Sequence, residues 1–190
     1  MWPSTNPANL VRGDDGVFEV VDLIKIRLPG PWWWHAEDLD DPDGARGAVF
    51  RCYEEGYIAS DGNLQELAYL LAADVSRDPS EPDISRFEQT DVPEFDRVLH
   101  DAILRATSRS GREMTKWMSP QLSETPLGKG LMSGYIARYQ GRERQYFDLR
   151  LRIRQSNALI GACFDIARKD DLAAPIWQAV QDAAYNSRLT

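Results

Sequence analysis

The acidic run Asp38–Gly44 is the stretch of this sequence that most resembles a metal-binding motif, because carboxylates followed by a glycine are typical of a calcium loop. If Gly44 took the sixth position of an EF-hand loop, Leu39 and Phe50 would occupy the first and twelfth positions, which require oxygen ligands. Neither side chain carries an oxygen. The spacing therefore excludes an EF-hand and favours a solvated acidic loop.

Histidines and cysteines, the other common ligands and nucleophiles, are few and far apart. His35 and His100 have no second metal ligand at a useful spacing. Cys52 and Cys163 lie in apolar segments that are typical of buried free thiols. The segment 128–130 (Gly-Lys-Gly) lacks the upstream glycine and the hydroxyl residue of a phosphate-binding loop. We therefore predict no catalytic residue, no metal and no cofactor, and we favour a binding protein over an enzyme.

The net charge of the chain is −8 over 190 residues, and it is unevenly distributed. Residues 1–101 carry 22 acidic and 8 basic side chains, a net charge of −14. Residues 102–190 carry 8 acidic and 14 basic side chains, a net charge of +6. This asymmetry permits an acidic and a basic lobe. The acidic total disfavours non-specific nucleic-acid binding, which requires basic groups to neutralise phosphates.

The hydropathy of the chain predicts neither a membrane protein nor a secreted one. No apolar run approaches the roughly 20 residues that a membrane-spanning helix needs. Residues 1–7 have neither the basic nor the apolar region of a secretion signal. Because the length also fits one domain, we expect a single-domain cytoplasmic protein without membrane insertion.

Residue periodicity predicts an α+β domain over residues 17–190, preceded by an irregular N-terminal arm over residues 1–16. The alternation of Ile24, Ile26 and Leu28 with basic residues predicts that residues 17–28 form one strand. Further strands are expected at 47–53, 57–59 and 114–118, the last of them followed by a loop. Helical spacing of apolar residues predicts three helices, at 64–75, 93–110 and 171–186.

A three-strand antiparallel meander at residues 131–166 is the main feature of the predicted sheet. Two-residue turns are expected at 141–142, which begins with glycine, and at 156–157. The first turn pairs Ile136 with Phe147, and the second pairs Ile153 with Ile160. Both turns place the same apolar side chains of the middle strand on the inner face. A shift of one residue would invert the strand, so this agreement supports the assignment of the faces.

The outward face of this meander is the candidate binding site. Arginines recur at alternate positions beside tyrosines, and both residue types are enriched at binding hot spots. Trp33, from a run of three tryptophans, is a second candidate anchor. The predicted partner-binding residues are Trp33, Tyr135, Tyr139, Arg144, Tyr146, Arg150, Arg152 and Arg154. The alternatives are an ordinary solvated face, with the arginines paired by nearby acids, and a lid over the core formed by the tryptophans.

The order of the elements resembles the PsbP-like α/β/α sandwich superfamily. A strand ending in Leu-Pro-Gly-Pro-Trp, at 28–32, precedes a hairpin, helices, an antiparallel meander and a closing helix. That group includes photosystem extrinsic subunits, Ran-binding relatives and bacterial chaperones for secreted effectors. The resemblance covers residues 17–187, and it implies a non-enzymatic binding scaffold without catalytic residues.

These observations predict a bacterial protein-binding module, such as an effector chaperone or a toxin-immunity protein of a secretion system. The expected partner is another protein with an acidic or amphipathic surface, since the candidate face is rich in arginine. The alternative is an enzyme or small-ligand-binding protein with a pocket between the sheet and the helices.

Overall fold

The chain is an α+β protein, and its described residues combine a large antiparallel sheet with two α-helices. A computed structural model describes residues 10–13, 16–40, 44–53, 66–79, 81, 92–125, 128–153 and 155–186. The elements in these ranges are, in chain order, β1 (Leu10–Arg12), β2 (Val17–Val20), β3 (Ile24–Arg27), β4 (Trp33–Asp40), β5 (Arg46–Tyr53), β6 (Glu66–Asp74), α1 (Val92–Arg109), β7 (Glu113–Thr125), β8 (Gly128–Tyr139), β9 (Arg142–Ile153), β10 (Ser156–Asp165), a 3-10 helix (Ile166–Arg168) and α2 (Lys169–Asn186).

Eight of these strands form one sheet in the order β1-β4-β5-β6-β10-β9-β8-β7, and β2 pairs with β3 in a separate hairpin. All the neighbouring strands are antiparallel. The predicted meander is therefore confirmed as β8, β9 and β10. It joins the N-terminal strands through β10 and β6, where Ile160 lies opposite Ala72.

Side chains of α1 and α2 belong to apolar clusters that include alternate side chains of the same strand, β9. Phe147 and Leu149 of β9 belong to the apolar cluster of α2, whose buried side chains include Ile176. Tyr146 belongs to the cluster of α1, which includes Leu99. Successive side chains of a strand point to opposite faces, so each helix packs against its own set of residues. Neither helix in the described part of the chain is long and apolar enough to cross a membrane.

The inner face of the meander was predicted correctly, but both of its turns were misplaced. Gln140 and Gly141 form the first turn, with φ angles of 49° and 78°, as two-residue hairpins of type I′ require. Ile136 consequently lies opposite Gln145 instead of Phe147. Ile160 lies opposite Leu149 instead of Ile153. Since these shifts amount to two and four residues, each side chain remains on its predicted face.

The helix predicted at 64–75 is wrong, because residues 66–74 form strand β6. Both faces of this strand are largely covered, with Leu67, Ala68 and Leu70 buried. A strand buried on both faces reads as a continuous apolar run, which periodicity cannot distinguish from a buried helix. The helices predicted at 93–110 and 171–186 are confirmed as α1 and α2.

Four other segments also differ from the predictions. The single strand expected over 17–28 is a hairpin of β2 and β3. Part of the expected acidic loop is strand β4, and three residues of the expected irregular arm form β1 against it. A loop was expected after residue 118. In the described residues β7 instead continues to Thr125, and its pairing with β8 shifts near Pro120. A bulge accommodates a proline, which cannot donate a hydrogen bond to the sheet. The strand expected at 57–59 lies outside the described residues.

The two cysteines are free and buried, as predicted. Burial raises the pKa of each thiol, Cys52 to about 12 and Cys163 to about 12. Because the thiolate is the reactive form, we expect neither cysteine to react with Ellman's reagent in the native protein at pH 8. Both should react rapidly in guanidinium chloride. Rapid labelling of either thiol without denaturant would contradict this burial.

Candidate binding groove beside helix α1

Helix α1 covers a large part of the face that was predicted to point outward. Tyr146 and Arg150 are each 3% exposed. Tyr135 is also buried, and its ring stacks on that of Tyr146 at a centroid distance of 4.5 Å. The prediction that these three side chains face solvent is therefore wrong. It failed because the packing of α1 on this face is a long-range contact that the spacing of residues along the strands does not report.

The remaining predicted residues do not form one surface with them. Tyr139 is 46% exposed and Arg152 is also exposed, while Arg144 is half-buried. Trp33 is half-buried on β4, which β5, β6 and β10 separate from the meander strand β9. Arg154 lies outside the described residues. The seven described residues of the prediction therefore occupy several environments.

Arg150 lies in a buried cluster of charges. Its Nε donates a hydrogen bond to Glu81 Oε2 (2.9 Å), and its Nη2 donates to Glu81 Oε1 (3.3 Å). Its Nη1 donates to the hydroxyl of Ser133 (3.4 Å) and lies 3.7 Å from Asp148 Oδ2. Burial alone lowers the pKa of Arg150, but the charges of Asp148 and Glu81 outweigh burial and raise it. A buried charge is tolerated when opposite charges surround it in this way.

Asp148 has a raised pKa, because the effect of burial exceeds the lowering effect of Arg150. A carboxyl group whose pKa is higher in the folded chain contributes stability below its unfolded value, about 3.9, and that stability is lost as the pH rises. We therefore expect Asp148→Asn to raise the free energy of unfolding at pH 7, since Glu81 still neutralises Arg150. The gain should shrink towards pH 4 in urea titrations.

A matched control for this variant is Asp40→Asn, because the Asp40 side chain is largely exposed. The control should change the free energy of unfolding by less than about 0.5 kcal/mol at either pH. A lower stability of Asp148→Asn at pH 7 would show that the ion pair with Arg150 outweighs the burial of the carboxylate.

A second charge network ties Arg144 into the same face of the sheet. Arg51 donates hydrogen bonds to Glu37 (3.2 Å) and to Glu66 (2.6 Å). Glu66 also pairs with Arg144, whose Nη2 donates to the Glu66 carbonyl oxygen (2.6 Å). His35 lies beside it, with its Nδ1 3.3 Å from Glu37. Two carboxylates balance two arginines here, so Arg144 cross-links strands and is not available as a free cation.

The described part of the chain contains no group of three His, Cys, Asp or Glu side chains placed to hold a metal ion. The ring of His100, the second histidine of the chain, makes an edge-on contact with the ring of Trp117 at a centroid distance of 5.2 Å. Trp117 Nε1 in turn donates a hydrogen bond to Asp96 (2.8 Å). These contacts fix α1 over β7.

The apolar stripe of α1 divides into a buried half and an open half. Phe95, Leu99 and Ile103 are buried against the sheet. Val98 is 42% exposed, and Ala106 is exposed as well. The open half borders a groove of about 440 Å³, which we call the α1 groove and whose lining includes Pro79, Glu81, Val98, Ala102, Arg105, Ala106, Arg109 and Arg150.

The charges of the α1 groove favour an anionic ligand. Arg105 and Arg109 are exposed, and no carboxylate of the described residues forms an ion pair with either of them. Arg150 at the groove is balanced by Glu81 and Asp148. The two helix arginines therefore give the groove a net positive charge, although the chain as a whole carries −8. The groove can accept apolar side chains and carboxylates together.

Of the predicted partner-binding residues that the structure describes, Arg150 contributes to this groove. The sequence contained a signal for Arg105 and Arg109, because they follow Val98 and Ala102 at intervals of three and four residues on one side of the helix. Glu81 had no such signal, since its contact with Arg150 spans 69 residues. Comparison with protein-family models finds no match to this chain, and comparison with curated proteins finds none either.

Proposed function

We propose that this chain is a protein-binding module that receives an acidic, partly apolar segment of its partner in the α1 groove. The observation that carries this proposal is the open apolar half of α1 beside two arginines, Arg105 and Arg109, which have no ion-pair partner among the described residues. This surface replaces the outward meander face of the sequence prediction, because α1 and Glu81 occupy much of that face.

The chemistry of the groove is that of a protein interface. Interface cores combine apolar contact with arginine, and a charged rim guides the partner to its place. An α/β/α sandwich suits this role, and it is supported by the apolar clusters that α1 and α2 form with alternate side chains of β9. Within this proposal the protein acts in the bacterial cytoplasm, as an effector chaperone or a toxin-immunity protein of a secretion system.

The test is to capture partners from lysate of the source cells, once with the unchanged chain and once with a variant whose groove arginines are replaced by glutamate. The double variant Arg105→Glu with Arg109→Glu should lose the specific partner, with affinity reduced at least about tenfold. Arg12→Glu with Arg46→Glu is the control, because these exposed arginines lie on β1 and β5 and the net charge changes equally. Equal capture by both variants would contradict docking in the groove.

The sequence prediction is tested in the same experiment by Arg152→Glu. Among the described residues, Arg152 and Tyr139 are the exposed ones of that prediction on the meander. Loss of the partner in Arg152→Glu, with normal capture by the Arg105/Arg109 variant, would place the docking surface on the sheet instead of the groove.

A second candidate function is the binding of a small anionic ligand, which the exposed Arg105 and Arg109 favour. A volume of about 440 Å³ lies within the range of small-molecule sites, and an arginine without an ion-pair partner among the described residues is suited to a carboxylate or phosphate. A metabolite that raises the melting temperature of the native chain, but not of Arg109→Glu, would support this function.

A further inference from the structure

We infer that the α1 groove takes an amphipathic helix that runs antiparallel to α1 and carries acidic residues in its first turn. This inference rests on the proposed function and specifies the partner of the same groove. It follows from the order of apolar and basic side chains along α1, from the helix dipoles and from the size of the groove.

The side chains on the open side of α1 change from apolar to basic along the helix. Val98 and Ala102 are apolar, Arg105 follows one turn later, and Arg109 lies in the last turn of the helix. The distance along the helix from the first to the last of these residues is about 16 Å, or three turns. A partner that matches this order must present apolar groups towards the N-terminal half of α1 and carboxylates towards its C-terminal end.

A helix is the element that presents such groups on one side over three turns. Helix-in-groove recognition uses anchors spaced three and four residues apart, the same spacing as the residues of α1 that line the groove. Packed helices keep their axes 8–10 Å apart. A groove of about 440 Å³ therefore receives a few side chains of the partner helix, while its backbone remains outside.

The dipoles decide the direction of this helix. Acidic side chains are favourable in the first turn of a helix and unfavourable in its last turn. An antiparallel helix places its acidic first turn beside Arg105 and Arg109 and its apolar turns beside Val98. It also sets its positive end next to the negative C-terminal end of α1. A parallel helix would need its acidic residues in its last turn to reach the same arginines.

The test uses two labelled peptides of about 14 residues with identical composition. One has three acidic residues in its first turn and leucines at helical spacing after them, and the other has the same residues in reverse order. In fluorescence anisotropy with the full chain, we expect the acid-first peptide to bind at least about fivefold more tightly. Arg105→Gln with Arg109→Gln should weaken the binding of the acid-first peptide and reduce this difference, and Arg12→Gln with Arg46→Gln should do neither.

Three results would overturn the inference: equal affinity of the two peptides, tighter binding of the acid-last peptide, or unchanged binding when proline is placed in the middle of the acid-first peptide. Equal peptide affinities, together with loss of the cellular partner in the Arg105/Arg109 charge reversal, would reject the direction alone. Absence of binding by both peptides, together with normal capture by that charge-reversed variant, would reject the proposed function as well.

Discussion

Replacing Arg150 by methionine lowers the free energy of unfolding by about 3–5 kcal/mol at pH 7, because it leaves two carboxylates of a buried cluster without their counter-charge. Asp148 and Glu81 both face this arginine, and 3% of the arginine is exposed. Urea denaturation followed by tryptophan fluorescence measures the change. The loss should decrease towards pH 4, because protonation removes the unpaired charges.

Two further variants make this result specific to the cluster. Arg152→Met removes an exposed arginine from the same strand, and it should change the stability by less than about 0.5 kcal/mol. Adding Glu81→Gln and Asp148→Asn to Arg150→Met should recover most of the loss, since no unpaired charge then remains. A loss below about 1 kcal/mol in Arg150→Met would contradict the buried ion cluster.

The second large effect is expected at Gly47, where strand β5 lies against β6. A methyl group there would contact the carbonyl oxygen of Ala72 and would lie 2.6 Å from the Cα of Ala73. Because these are backbone atoms, the strands themselves must move apart. We expect Gly47→Ala to lower the free energy of unfolding by about 3 kcal/mol, as overpacking of a rigid core does.

Gly16→Ala is the matched control for this substitution. A methyl group at Gly16 meets no atom of the described structure within 4 Å, and its φ lies outside the left-handed range. The control should leave the stability unchanged or raise it slightly, since alanine restricts the unfolded chain. If the two substitutions have equal effects in urea denaturation, the close approach of β5 and β6 at Gly47 is wrong.

The sequence was sufficient to predict the elements whose pattern is local. The apolar stripe around Leu99 identified α1, and alternation around Leu149 identified the middle strand and its inner face. The pairing of that strand could not be predicted, because it depends on a turn in which Gln140, a residue without special turn chemistry, adopts a positive φ. Strand β6 was mistaken for a helix because tertiary burial on both faces removes the alternation.

The candidate site was less predictable than the fold, for a physical reason. The solvent exposure of Arg150 depends on the positions of α1 and Glu81. Both are distant from Arg150 in the chain. Arg105 and Arg109 were visible as helical neighbours of Val98. The sequence could not show that Val98 lies outside the core, because the spacing of apolar residues is the same whether a helix face is packed or exposed.

The ion pairs that cross the sheet join the acidic half of the chain to its basic half. Glu66 and Glu81 belong to the acidic first half, and their partners Arg144 and Arg150 belong to the basic second half. Before any native contact forms, the two halves of the unfolded polypeptide therefore attract each other. Collapse of this chain should consequently begin as an encounter between opposite charges, and added salt should slow it by screening that encounter.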